Sequence, residues 1–176
     1  MNMKDEVSKL VEKYWLWLKD KTVLKEVGQE WIEITTPHLD RHNDFLQIYI
    51  KKINNRYLLT DDGYIISDLS ASGCSLDSLK RQKMLKTVLA GFGIQLDGEN
   101  LVVQASAMDF PIKKHNLVQA MLAVNDFFYL ASDKSPYSKG LENAKVESVA
   151  SVVKHLVYFS SLKIPMSTSI AQINLL

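Results

Sequence analysis

Near residue 40, side chains that can bind a metal ion or transfer a proton stand at every second position. They are His38, Asp40, His42 and Asp44, all within the segment HLDRHND. In an extended chain, alternate side chains project from the same side of the backbone. Imidazole and carboxylate groups together suit zinc, manganese or iron. The spacing therefore makes these residues candidate metal ligands, and a divalent metal ion a candidate cofactor.

A second acidic segment, Asp61-Asp62-Gly63, lies in the turn-like sequence TDDG. If it meets HLDRHND at one end of a sheet, the two segments form a single acidic rim that carries histidines. The candidate catalytic residues of a metal-dependent nuclease or related hydrolase are then Asp44, Asp61, Asp62 and Lys51. Such enzymes hold magnesium between carboxylates, beside a lysine that polarises water. Their core needs an acidic residue two positions before the lysine, where this chain has Tyr49, so the enzyme is the less favoured alternative.

The same residues also have a structural interpretation. Asp and His side chains in loops often bond to nearby backbone groups. On this interpretation Asp40 and Asp44 fix the loop, while Arg41 pairs with Asp62 or Asp68. The candidate binding residues are accordingly Asp40, Arg41, His42, Asp44, Asp61, Asp62 and Trp17.

The composition is that of an ordinary globular domain. Of the 176 residues, 47% are hydrophobic and 23% are charged, and the net charge is +1. Such a balance creates no strong field toward nucleic acid or acidic membranes. Cys74 is the only cysteine, which excludes an intramolecular disulfide and fits a reducing cytoplasm. No window approaches the roughly 18 apolar residues of a membrane span, so we expect a cytoplasmic protein without membrane contact.

The elements that must position these residues begin with an amphipathic helix at 3–20. Its apolar positions, expected to face the core, are Val7, Leu10, Val11, Tyr14, Trp15 and Leu18. Trp17 lies about 200° from Trp15 around the helix axis, so both cannot point inward. Trp17 therefore either covers a partner or lies along the flank of the helix.

An antiparallel meander is predicted next, with strands at 31–37, 45–53, 56–60 and 64–69. Asn54-Asn55 suits a two-residue turn because asparagine tolerates positive φ. That turn sets the register, in which the opposing pairs are Tyr49 and Thr60, Ile50 and Leu59, and Gln47 and Asp62.

The rest of the chain predicts a helix at 76–91, a hairpin across Asp97-Gly98 and a helix at 111–131. A polar linker at 133–140 separates the main domain, 1–132, from a helical extension or partial second domain at 141–176. The predicted fold class is α+β. It has a twisted antiparallel sheet, made of the meander plus the hairpin, and elements in the order α-βββ(β)-α-ββ-α before the C-terminal extension.

The segments TTPHLDRHNDFLQIYIKK and YLLTDDGYIISDL are similar to a bacterial and phage domain-of-unknown-function family, the one numbered eighteen twenty-eight. The resemblance covers roughly residues 30–105. It implies a bacterial or prophage origin and involvement in phage–host conflict, and it carries no catalytic residue over to this chain. The order of elements also resembles the small chaperones of bacterial type III secretion, in which helices cover one face of a twisted antiparallel sheet.

Taken together, these patterns favour a non-enzymatic module that binds another protein, with a second copy of the chain as one candidate partner. Its expected working surfaces are the sheet or its edge, the helix flank around Trp17, and the Asp/His loop. A metal-dependent hydrolase is the first alternative. Nucleic-acid binding is the second, through the basic residues Lys80, Arg81, Lys83 and Lys86, although no helix-turn-helix or base-stacking motif supports it.

Overall fold

The computed structural model describes residues 2–132, with side chains described through Tyr129. These residues form an α+β fold in which six antiparallel strands make one open sheet, in the order β1-β2-β3-β4-β6-β5. The elements are α1 (Met3–Asp20), β1 (Val23–Val27), β2 (Trp31–Leu39), β3 (Phe45–Ile53), β4 (Arg56–Thr60), α2 (Tyr64–Ala71), α3 (Leu79–Phe92), β5 (Gln95–Asp97), β6 (Asn100–Ala105), α4 (Phe110–Asn125) and α5 (Phe127–Ser132). The predicted fold class is confirmed, whereas the predicted linker at 133–140 and extension at 141–176 lie outside the described residues.

The hairpin between β3 and β4 has the predicted register. Asn54 adopts a positive φ of 53° in the turn, and Tyr49 lies opposite Thr60, with Ile50 and Leu59 as the next pair. Because β4 ends at Thr60, the predicted pair of Gln47 and Asp62 is not part of the sheet.

The two faces of the sheet differ in burial. On β3, Leu46, Ile48 and Ile50 are buried, while the residues between them are exposed or half-buried. This period of two is expected of a strand with one covered face. The covering layer includes α4, which contacts β4 and β6, while α2 and α3 pack against α4 in turn. Other fully buried side chains of this core are Leu59, Ile65, Leu69, Leu101, Leu117 and Met121.

Residues 64–69, predicted as a strand, belong to helix α2, so that prediction is wrong. The buried residues of α2 are Ile65 and Leu69, and a spacing of four places both on one face of a helix. The N-cap position of α2 is Gly63. The Asp61 side chain, two residues earlier, accepts hydrogen bonds from the N–H groups of Gly63 and Ile65, so it satisfies an N–H group of the first helical turn that has no partner within the helix. The apolar pattern of YIISDL fits either period, and these hydrogen bonds favour the helix.

The fourth strand of the meander is instead β1, which the sequence left unassigned. β1 pairs with β2, with Val23 opposite Thr35 and Val27 opposite Trp31. Every residue of β1 is exposed or half-buried. An edge strand without a buried face lacks the strong alternation by which strands are recognised.

The later helices differ from the prediction mainly at their ends. Helix α3 begins at Leu79, because the Ser78 side chain accepts a hydrogen bond from the Arg81 N–H group and caps the helix there. The predicted helix at 111–131 divides into α4 and α5. In the part of the chain that the structure describes, no helix is long and apolar enough to cross a membrane.

Candidate binding cleft

The two acidic segments lie at the same end of the sheet. One follows β2 and the other follows β4, and alternate strands of a meander end on the same side. Side chains connect them, since the Tyr64 hydroxyl, just beyond Asp61-Asp62-Gly63, donates a hydrogen bond of 2.5 Å to Oδ2 of Asp40. The acidic rim expected from the sequence is therefore present.

Asp40 organises the loop between β2 and β3. Its Oδ1 atom accepts hydrogen bonds from the N–H groups of His42 at 2.7 Å and Asp44 at 3.0 Å, and the residue is only 7% exposed. Burial alone would raise the pKa of Asp40, but the hydrogen bonds from Tyr64, Asp44 and His42 outweigh it and hold the pKa below its usual value. The structural interpretation is correct for Asp40.

Asp61 joins three elements from a fully buried position. Its Oδ1 atom accepts hydrogen bonds from the N–H groups of Leu101 at 2.8 Å and Gly63 at 3.1 Å, while Oδ2 accepts from the N–H group of Ile65 at 3.1 Å. Burial raises the pKa of Asp61, and the three hydrogen bonds oppose that rise. The carboxylate thus ties β4 to α2 and β6.

Arg41 pairs with Asp68, the second of its two predicted partners. The guanidinium Nη2 atom lies 2.7 Å from Oδ2 of Asp68, and the Arg41 side chain is only 3% exposed. The guanidinium also stacks over the Phe128 ring at 4.5 Å from its centroid. Nε2 of His42 lies 3.1 Å from Oδ1 of Asp68. Arg41 and His42 of the loop thus both contact the carboxylate of Asp68.

The four candidate metal ligands do not form a common site. Among the described residues, no three His, Cys, Asp or Glu side chains are arranged to hold a metal ion. The reason is local, because β2 ends at Leu39 and the chain then turns, with Asn43 at a φ of 65°. The alternation of an extended chain therefore stops before His42 and Asp44. Burial, and after it the nearby side chains of Lys114 and His115, lower the pKa of His38, which lies beside those two residues instead. A divalent metal cofactor stays a prediction.

Lys51, the candidate lysine of a nuclease, lies away from the acidic residues. Its Nζ atom lies 5.0 Å from the centroid of the Trp31 ring and 3.8 Å from Oε2 of Glu30. It does not line the cleft at the acidic rim. The carboxylate–lysine arrangement that a nuclease requires is not formed there.

A cleft of about 670 Å³ lies at the rim, and its lining combines carboxylates, hydroxyls and aromatic rings. The lining residues are Thr35, Asp44, Phe45, Gln47, Tyr49, Asp61, Asp62, Tyr64 and Ser67. Phe45 is 57% and Tyr64 is 42% exposed. Within the described residues, the carboxylates of Asp44 and Asp62 take part in no hydrogen bond or ion pair. The volume lies in the range of pockets that bind organic ligands or side chains.

The residues that line the cleft carry acidic and no basic side chains. Three of its lining residues are aspartates, and none is Lys, Arg or His. Burial, together with Glu33 and Asp62, raises the pKa of Tyr49. The pKa of Tyr64 lies well above its usual range because of burial and the neighbouring carboxylates of Asp40, Asp68 and Asp44. Both hydroxyls thus remain protonated beside acceptors.

The aromatic half of the cleft was missed from the sequence. Phe45 and Tyr49 lie four residues apart on the less buried face of β3, a spacing that could have identified them. Tyr64 was assigned to a strand, and its position at the start of α2 depends on the hydrogen bonds that the Asp61 side chain accepts. No sequence pattern marks the polar residues Thr35, Gln47 and Ser67 as part of a binding site.

Trp17 lies outside the cleft, on α1. Its side chain is 48% exposed and stacks with Tyr14, with the ring centroids 6.2 Å apart. Trp15 is also exposed, at 62%. The expectation that the apolar positions of this helix face the core is wrong for the described part of the chain, where no residue of α1 is buried.

The architecture therefore defines an α+β domain with an acidic, aromatic cleft at one end of its sheet. The family model described as Domain of unknown function DUF1828 matches residues 36–124, just over half of the chain, and the chain belongs to this family. The match includes all of the cleft-lining residues except Thr35. Neither the curated proteins nor the solved structures contain a match to the chain, so the likeness to type III secretion chaperones stays a prediction.

Proposed function

We propose that this domain is a non-enzymatic protein-binding module whose binding site is the cleft at the acidic rim. The observation that carries the proposal is the division of the rim into occupied and unoccupied groups. The carboxylate oxygens of Asp40 and Asp61 accept hydrogen bonds from backbone N–H groups and, in Asp40, from a tyrosine hydroxyl. The open space is instead lined by exposed rings and by two carboxylates without hydrogen bonds. Aromatic groups are enriched where proteins bind proteins.

A metal-dependent hydrolase is supported less well by the same geometry. Its catalytic set would need Asp61, whose oxygens already accept three backbone hydrogen bonds. It would also need Lys51, which is held beside Trp31 and Glu30. Only Asp44 and Asp62 would remain, which is fewer than the three protein ligands of a catalytic zinc site, and no lysine lines the cleft beside them to polarise water.

Nucleic-acid binding is also less well supported. Lys80, Lys83 and Lys86 are exposed on α3, but Nη1 of Arg81 donates a hydrogen bond to the carbonyl oxygen of Ser75 at 2.6 Å. Three surface lysines in a chain of net charge +1 give little of the phosphate attraction that dominates such binding. The negative cleft would repel phosphates.

The setting that the family resemblance implies belongs to the same proposal. In a bacterium or its prophage, a module that acts by binding interferes with another protein through occupancy, without turnover. Involvement in phage–host conflict in the cytoplasm would take this form. A second copy of the chain is one candidate partner.

The test is selection of a random peptide library on the full chain, with counter-selection on a variant whose cleft is blocked. Ser67→Trp places an indole at an exposed, lining position of α2. Ser8→Trp, the same substitution on exposed α1 outside the cleft, is the matched control. We expect peptides that bind the wild type and Ser8→Trp but not Ser67→Trp. Selection that yields only peptides indifferent to Ser67→Trp would reject the proposed function.

A further inference from the structure

The tyrosine hydroxyls of the cleft, and the backbone at Asp62, are held in place before any partner arrives. The Tyr64 hydroxyl is bonded to Asp40 at 2.5 Å, and the Tyr49 hydroxyl donates to Oε1 of Gln47 at 3.3 Å. Asp62 sits at a positive φ of 55°, and its N–H group donates to Oγ1 of Thr60 at 3.0 Å. A ligand would therefore meet tyrosine rings and a backbone whose ordering costs little further entropy.

No cation of the described chain occupies this negative space. Arg41, the nearest cation in sequence, and the imidazole of His42 are both directed to Asp68, and Lys51 lies over Trp31. The cleft thus holds negative charge that its own structure leaves uncompensated. A complementary group must come from another molecule.

We propose that the group bound in the cleft is an arginine side chain of the partner protein, an inference that rests on the proposed function. A guanidinium is planar, so it stacks on aromatic faces such as those of Phe45, Tyr49 and Tyr64 while its edge donates hydrogen bonds to carboxylates. Asp44 and Asp62 supply those carboxylates without breaking any contact of the folded domain. The domain already contains this combination, where Arg41 lies over Phe128 and pairs with Asp68.

Other ligand classes fit the cleft less well. A bare metal ion would leave most of about 670 Å³ unfilled, and an anion would be repelled by the carboxylates of the lining. A lysine ammonium satisfies the charge, but it lacks the planar surface and the paired donors. An uncharged side chain would fill the space while leaving Asp44 and Asp62 without a partner.

The experiment titrates the ¹⁵N-labelled full chain with N-acetyl-arginine amide and follows the backbone amide resonances. Matched probes are the lysine analogue and the citrulline analogue, which has nearly the same shape as arginine but no charge. We expect saturable shifts at amides around Asp44, Asp62 and Tyr64, and an affinity for the arginine probe about tenfold above that for citrulline. The lysine probe should bind more weakly than the arginine probe.

Variants separate the cleft from general charge effects. Asp44→Asn/Asp62→Asn removes two charges, retains the side-chain shapes and keeps a residue tolerant of positive φ at position 62. We expect it to lower the affinity for the arginine probe about tenfold and to abolish the preference over citrulline. Asp20→Asn/Glu26→Gln removes the same charge from exposed positions outside the cleft and should leave the affinity unchanged.

The outcomes distinguish the inference from the proposed function. Equal binding of the arginine and citrulline probes, or of the arginine and lysine probes, would overturn the assignment to arginine. Cleft-dependent peptides without arginine in the library selection would do the same while leaving the proposed function intact. Failure to select any cleft-dependent peptide, despite specific shifts with the arginine probe, would reject the proposed function and support only a site for free guanidinium compounds.

Discussion

Replacing Asp61 should destabilise the domain more than replacing any other acidic residue of the rim. Its carboxylate accepts hydrogen bonds from the buried N–H groups of Gly63, Ile65 and Leu101. With about 1 kcal/mol for each hydrogen bond, Asp61→Ala should lower the free energy of unfolding by about 3 kcal/mol, and by more if water cannot reach the abandoned donors. Such a loss is a large part of the roughly 5–15 kcal/mol that stabilises a typical domain.

Asp61→Asn separates hydrogen bonding from side-chain size. The amide oxygen can still accept hydrogen bonds from Gly63 and Leu101, but the NH₂ group would face the N–H group of Ile65, which is also a donor. We expect a smaller loss, about 1–2 kcal/mol. The asparagine also avoids the cost of burying a charge, which is the cause of the raised pKa of Asp61.

Urea denaturation followed by tryptophan fluorescence and far-UV circular dichroism measures these losses. The free energies are compared at equal dependence on urea concentration, since a changed slope would signal an altered native or unfolded state. Asp62→Asn is the matched control, because Asp62 is the next residue along the chain and its carboxylate accepts no hydrogen bond among the described residues. The assignment of Asp61 as the link between β4, α2 and β6 fails if Asp61→Ala costs under about 1 kcal/mol or no more than the control.

Two further predictions concern the groups around the loop. Arg41→Met should lower the free energy of unfolding by about 2–4 kcal/mol in the same assay, because it leaves Asp68 without its buried partner. His42→Gln changes an exposed pair and should lower it by under about 1 kcal/mol. Equal losses in the two variants would contradict this difference. Hydrogen bonding holds the pKa of Asp40 lower in the folded than in the unfolded chain. The Asp40 carboxylate therefore stabilises the fold at pH values above its unfolded pKa, and this stabilisation is lost as the pH falls through the lower, folded pKa. Tyr64→Phe removes one of those bonds, so acid unfolding should begin at higher pH than in the wild type or in Tyr49→Phe, and superimposable acid-unfolding curves would refute this.

The parts of the fold predicted correctly from sequence were those decided by neighbouring residues. The Asn54-Asn55 turn sets the alignment of β3 and β4, and the pairs of Tyr49 with Thr60 and Ile50 with Leu59 follow by counting. The alternation of β3 likewise identified its buried face. Here local chemistry and the final structure agree.

The errors arose where distant contacts decide the outcome. YIISDL fits a strand or a helix, and the helix is favoured by Asp61, which also bonds to Leu101 in a strand formed 40 residues later. The spacing of His38, Asp40, His42 and Asp44 suggested a metal site only while the segment was taken as extended. Once Asp40 accepts bonds from the backbone at residues 42 and 44, the loop curls around that carboxylate and the shared face is lost.

The arrangement of the cleft depends on the hydrogen bonds that Asp40 and Asp61 accept, and these bonds leave neither carboxylate free to bind a ligand. Asp40 holds the ring of Tyr64, and Asp61 starts the helix that carries it. Substituting either should therefore alter both stability and binding. Asp44 and Asp62 make no such contacts in the described chain, and their substitution should alter binding alone. A residue that serves recognition alone is expected to affect binding, but not stability, when it is replaced. Among the described acidic residues of the rim, only Asp44 and Asp62 are expected to behave in this way.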